Sequence, residues 1–229
     1  MCLIALAHRA HPAWPLVVVA NRDEFYERPS RAAHVWDDAP EVMGGRDLRA
    51  GGSWLAVRRG GRFAAVTNVR DGRMEGGPSR GALVAEFIKG GELPSPEEAA
   101  EYSGFHLIAG DAEKLLHVTN SGVVTPIAPG LFAISNAPVG VEWPKTAIAR
   151  DALDAALARA NDEQSLAEEL IRFLSTARGG PIESEVFVSV PERGYGTRSS
   201  TVVIVGAEGG VSLWERSWPA SQMTLLSSS

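Results

Sequence analysis

Two runs, Leu16–Ala20 and Val202–Val205, are apolar at every position. Side chains of a strand alternate between its faces, so a strand lying on one core reads as alternating apolar and polar residues. A strand apolar throughout has to be covered on both faces. These runs therefore predict a sheet with a layer packed on each side, which excludes an open, half-solvated sheet. Further strands are predicted at Cys2–Ala7, Ser53–Val57, Phe63–Asn68, Phe105–Ala109, Leu115–Thr119, Val123–Thr125, Leu131–Ser135, Glu185–Val190 and Val211–Trp214. Arg59-Gly60-Gly61 reads as a hairpin turn between two of them.

Helices fall in two blocks. Gly81–Lys89, with Ser79 as its expected N-cap, is followed by a short helix begun by proline at Pro96–Tyr102. The second block pairs Trp143–Arg159, where Leu153 and Leu157 repeat at i, i+4, with a helix carrying Leu166, Leu170 and Leu174. This order predicts an α+β fold of two stacked antiparallel sheets with helices outside them, a four-layer αββα sandwich. Composition by itself also admits a two-layer α+β sandwich. No linker or repeat interrupts the pattern, so residues 1–226 read as one domain and 227–229 as a frayed tail.

Charge limits the partners. The net charge is −6, and only three of the 22 basic residues are lysines, which argues against a nucleic-acid binder. Residues 1–80 hold twelve arginines against nine acids, so an anionic ligand is better received by the first third. Leu3–Ala7 and Leu16–Ala20 are each five residues long, too short for a membrane span or a signal peptide, and the chain reads as cytoplasmic.

The one cysteine, Cys2, follows the initiator methionine at the start of a predicted strand. Removal of Met1 leaves a thiol and a free α-amine on one residue, and an amine with a reference pKa of about 7.7–8.0 can serve as the thiol's own base. His8 lies six residues along the same strand, roughly 20 Å away, and cannot reach. Cys2 equally suits a small buried hydrophobe. Asn21, Arg22, Asp23 and Glu24 form an abrupt polar cluster after five apolar residues, while Asn68 and Asn136 end the runs Phe63–Thr67 and Leu131–Ser135. Amides at strand ends are suitable oxyanion donors and also ordinary turn residues.

Gly77-Pro78-Ser79-Arg80-Gly81 matches a nucleophile elbow, but the preceding 70–76 stretch reads as a polar loop where the elbow needs a strand. The histidines offer only His8-x-x-His11 followed by Pro12, so no metal site is expected.

Met1-Cys2, Asn21–Tyr26 with Arg28-Pro29-Ser30, Gly51–Leu55, Thr67-Asn68, Ser135–Ala137 and Gly194–Arg198 together resemble the NRDE family, in order and over nearly the whole chain. The resemblance implies an N-terminal-nucleophile (Ntn) hydrolase-like αββα fold, cytosolic or organellar residence and, in relatives, haem trafficking and acyl-coenzyme A binding. The chain is more distantly similar to the choloylglycine hydrolase and penicillin V acylase group. That group's pattern implies Cys2 as nucleophile and amine base and Asp23 as its orienting carboxylate. Asn68 and Asn136 would supply oxyanion and amine hydrogen bonds, and Arg198 charge support for the thiolate. Asn21, Arg22, Glu24 and Trp54 are the expected ligand-binding residues. Where those amidases carry an arginine, this chain has Ala20, with Arg22 two residues on. Two functions remain open: hydrolysis of an amide or thioester through Cys2, or non-catalytic binding of haem or acyl-coenzyme A. No cofactor is required by either, with haem a possible bound ligand.

Overall fold

The computed structural model describes residues 2–69 and 77–228. The first half holds β1 (Leu3–His8), β2 (Leu16–Phe25), β3 (Ser30–Trp36), β4 (Ala39–Asp47), β5 (Leu55–Arg58), β6 (Phe63–Asn68), α1 (Gly81–Ile88) and α2 (Pro96–Ala100). Next come β7 (Phe105–Gly110), β8 (Leu115–Thr119), β9 (Val124–Ile127) and β10 (Gly130–Ile134), then α3 (Pro144–Arg159) and α4 (Glu163–Leu174). The chain closes with β11 (Ser189–Val190), β12 (Tyr195–Val205), β13 (Val211–Ser217) and β14 (Gln222–Ser228).

One sheet runs β10-β1-β2-β12-β13-β14, with β11 also on β12; the other runs β3 to β9 in chain order. Every pairing is antiparallel. Alternation along each central strand sorts its apolar residues into two layers. Val17 and Val19 of β2, with Val202 and Ile204 of β12, pack under Leu153, Leu166 and Leu170 of α3 and α4. Leu16, Val18, Val203 and Val205 face Leu55, Phe63 and Ile108 of the other sheet. Beyond that second sheet, Ala64, Val66 and Leu107 meet Leu83, Val84 and Ile88 of α1. The result is the four-layer αββα sandwich, with the fully apolar strands at its centre.

Some expectations are corrected. Residues 30–47 form the β3–β4 hairpin, which the sequence pattern does not reveal because two register irregularities break its alternation. Ser227 and Ser228, expected as a frayed tail, pair with Ser212 and Val211 on the sheet edge, where backbone bonds rather than side chains decide order. Only Ser189–Val190 of the predicted Glu185–Val190 strand pairs in a sheet, since the carbonyls of Glu185 and Val186 accept from the side chains of Lys145 and Asn21 instead of from a neighbouring strand. Helix α1 begins at Arg80 without a side-chain cap, and Ser79 contributes its carbonyl to the Ala82 amide instead of its hydroxyl. The Arg59–Gly61 turn forms as expected, with Gly60 and Gly61 both at φ +87°. The 70–76 loop lies outside the described residues.

Candidate functional site

The site lies where strands of both sheets end together. Pairing of Leu3 with Asn21 and of Ile4 with Ile134 leaves Cys2 beside Arg22–Asp23 on one flank and Ser135–Asn136 on the other. On β12, Thr197 pairs with Asp23 and Ser199 with Arg22, and the intervening register shift displaces Arg198 from the ladder. Asn68 ends β6 in the facing sheet.

Hydrogen bonds join these ends. The Cys2 amide nitrogen donates to Asn136 Oδ1, and Asn136 Nδ2 donates to the Asn68 carbonyl at 2.5 Å. Both functional ends of the Asn136 amide are thereby engaged, whereas the Asn68 side chain is exposed at the strand end. Cys2 Sγ lies 3.9 Å from the Asp23 carbonyl, which also accepts from the Tyr195 hydroxyl at 3.3 Å. Asp23 is 5% exposed, and its Oδ1 accepts from Thr197 Oγ1 at 2.7 Å. Burial pushes the Asp23 carboxyl up, opposed by Lys145 and by the Thr197 hydroxyl.

Two arginines sit beside this cluster and do different things. Arg198 Nη1 donates to the carbonyls of Phe25, Tyr26 and Arg28 at 3.0–3.2 Å, latching the turn after β2. Arg22 is 6% exposed and lies over the Trp54 ring at 4.4 Å, on the same face of β2 as Ala20 and one side-chain pair along. Burial lowers its proton affinity, and the strongest charge opposing that is Cys2, ahead of Glu24 and Asp47. A Cβ on Gly45 would fall inside the Trp54 ring, so a glycine is what lets Trp54 lie flat beneath Arg22.

The other expected ligand residues are engaged locally. Asn21 spends Nδ2 on the carbonyls of Leu174 and Val186, both at 2.8 Å, on the helical side of the sheet. Glu24 accepts from the Phe25 amide and faces Arg28, which is held by Asp47 Oδ2 at 2.7 Å. A cavity of about 440 Å³ near Ala13 and Glu208 and another of about 390 Å³ near His34 and Arg46 lie apart from the cluster, and none of Cys2, Asp23, Asn68 or Asn136 lines them. Among the described residues, no group of three or more His, Cys, Asp or Glu is arranged to hold a metal ion.

Sequence reasoning missed the residues that aim Asn136. Thr67 Oγ1 donates to the Ser135 carbonyl at 3.0 Å, and His106 Nε2 bonds the Ala137 carbonyl at 2.9 Å, so both neighbours of Asn136 are tied to the second sheet. With Nε2 donating, His106 Nδ1 accepts from His117 Nε2 at 2.9 Å. Burial pushes both imidazoles down, His117 to about 4. A group held below its unfolded pKa contributes stability above that value and loses it as pH falls. The pair should therefore destabilise the fold progressively from about pH 6.5 to pH 4, by on the order of 2 kcal/mol after allowing for partial solvent access. Urea unfolding at pH 7.5 and 4.5 checks this: His117→Phe should lose less stability across that interval than wild type. Equal losses would mean the pair is not the acid-labile element.

A sandwich of two antiparallel sheets between helices, with Cys2 at the strand ends, is an Ntn-hydrolase fold. The chain superposes on conjugated bile acid hydrolase from Clostridium perfringens with TM-score 0.57 for the C2A mutant, at 12% identity, covering 99% of this chain and 92% of that one. A second variant of that enzyme gives TM-score 0.54 over the same shares. The chain belongs to the Transport and Golgi organisation 2 family, which it matches over residues 1–220. It is 36% identical to the transport and Golgi organization protein 2 homolog of Bos taurus, covering 98% of this chain and 95% of that protein. With the Homo sapiens homolog it shares 32% identity, over 95% and 93% of the respective chains.

Proposed function

We propose that this protein is a hydrolase of an acyl amide or acyl thioester, with Cys2 as nucleophile once Met1 is removed. The observation that carries the reading is the hydrogen-bonded run from the Cys2 nitrogen through the Asn136 side chain to the Asn68 carbonyl, beside the buried Asp23. Asn136 orients the nitrogen that becomes the free amine. That amine takes the thiol proton as the sulfur attacks the acyl carbonyl, and Arg22 favours negative charge on the sulfur. The exposed Asn68 amide and the backbone beside Cys2 face the developing oxyanion. The ammonium returns its proton to the leaving amine or thiol, and water attacking the S-acyl intermediate completes the cycle. Arg22 would thus supply the charge that Ala20 cannot.

Intact-mass measurement of protein from its native host tests the prerequisite: the chain should begin at Cys2, because a retained Met1 turns the only base within reach into an amide. Processed protein incubated with N-acyl amides and acyl-coenzyme A should then release product and show a transient acyl adduct on Cys2 by mass. Full-length Met1 in the native protein would remove the hydrolase reading.

A carrier of haem or acyl-coenzyme A is the second reading, favoured by one observation: the buried Nη1 of Arg22 has no hydrogen-bond partner among the described residues. A propionate or phosphate would satisfy it. Tight binding that depends on Arg22, without turnover in a processed sample, would establish the carrier.

A further inference from the structure

A sheet edge is a row of unpaired backbone donors and acceptors, and an edge left open pairs with whatever strand can reach it. Among the described residues the two sheets end on β3, β9, β10 and β14, with the two-residue β11 beside β12. Three of these edges are blunted. β9 has four residues, and Pro126 among them has no amide to donate. β3 carries Arg31 and His34, its register breaks twice, and its Ala33 amide donates to Glu215 Oε1 of β13 at 2.7 Å. β10 is five residues long, and none of them is exposed.

β14 has none of these devices. Its seven residues pair with β13 in unbroken register and include no charge and no proline. Thr224, Leu226 and Ser228 are half-buried, with Leu226 packed between the sheets, whereas Met223 is 42% and Leu225 53% exposed. The exposed pair lies on the face of the sheet that bears the helices, beside Arg216 and Trp214 of β13.

The strand is also complementary to itself. Antiparallel pairing of two β14 strands about a two-fold axis at the middle residue, Leu225, engages all seven residues of each, and any shift leaves strand ends unpaired. In that register Thr224 faces the partner's Leu226, and Met223 faces the partner's Ser227, which lines the cavity of about 440 Å³ near Ala13 and Glu208. No charged side chain of β14 meets its own copy, although each chain carries a net charge of −6.

We propose that β14 is a self-association surface, on which a second copy of this chain adds its own β14 about a two-fold axis at Leu225 and joins the two sheets into one. The contact is small, so the dimer is concentration-dependent. It is independent of the hydrolase reading, because β14 lies two strands beyond β12 and supplies none of the residues described at the Cys2 site. Sedimentation velocity of the full chain, at concentrations rising to the order of 10² μM, should show wild type passing from one chain to two. Leu225→Lys changes an exposed side chain and sets two ammoniums against each other at the axis, so it should weaken association by about tenfold or more, as should Leu225→Glu. An equimolar mixture of the two variants should associate again as one-to-one pairs, because the axis then joins opposite charges. That recovery requires position 225 to face its own copy. Wild type that stays a single chain throughout, the result expected if an extended segment of another protein takes this edge, overturns the proposal. Association indifferent to Leu225→Lys, or lost in both variants and not regained on mixing, overturns it as well.

Discussion

Cys2→Ala should abolish product release from N-acyl amides and acyl-coenzyme A while leaving the protein folded. In the proposed reaction the sulfur is the atom that forms the acyl bond. His8, on the same strand, is committed to the carbonyls of Ile127 and Ala112. Truncation removes one atom from a partly buried position whose only side-chain hydrogen bond among the described residues is the long one to the Asp23 carbonyl. The cost in stability should therefore stay within about 1 kcal/mol. The measurement is product release for both forms, with binding of the same acyl compounds followed in parallel. The variant should bind as wild type does and release nothing. Residual turnover above a tenth of wild type would show that the chemistry does not pass through the sulfur.

Asn68→Ala should cost on the order of 10²–10³ in turnover with little change in substrate affinity, the signature of a donor used only when the oxyanion forms. The geometry distinguishes this residue from Asn136. Asn136 has Oδ1 committed to Cys2 and Nδ2 to the Asn68 carbonyl, so its replacement should loosen Cys2 itself. Asn68 contributes that carbonyl from its backbone, which alanine retains, and its exposed side-chain amide remains for the substrate. Steady-state kinetics of Asn68→Ala and Asn136→Ala on one substrate separates the two roles. A loss for Asn68→Ala confined to KM would make it a binding residue.

The sequence alone called for sheets covered on both faces, with the four-layer and the two-layer sandwich both open, and singled out polar candidates near strand ends. Leu16–Ala20 and Val202–Val205 cannot sit on one core, and that demand implied covered sheets before any coordinate. The abrupt change from apolar to polar after Ala20 reads as a strand end, whereas β2 runs on to Phe25 with Asn21, Arg22 and Asp23 buried. Periodicity is a local property, and it is legible wherever a strand is regular. It fails at β3 and β4, where irregular register breaks alternation, and at β14, a sheet edge held by its backbone.

Only the tertiary structure decided which side chains meet at the site. The bulge between Thr197 and Ser199 turns Arg198 onto the carbonyls after β2, while the two-residue period puts Arg22 on the face of Ala20 and over the Trp54 ring. Thr197, His106 and Lys145 enter through contacts across 174 residues to Asp23, 31 to Ala137 and 40 to Glu185. No window of sequence contains such pairs. The field a buried charge exerts depends on three-dimensional distance and on exclusion of water, and the chain acquires both only when its sheets close over one another.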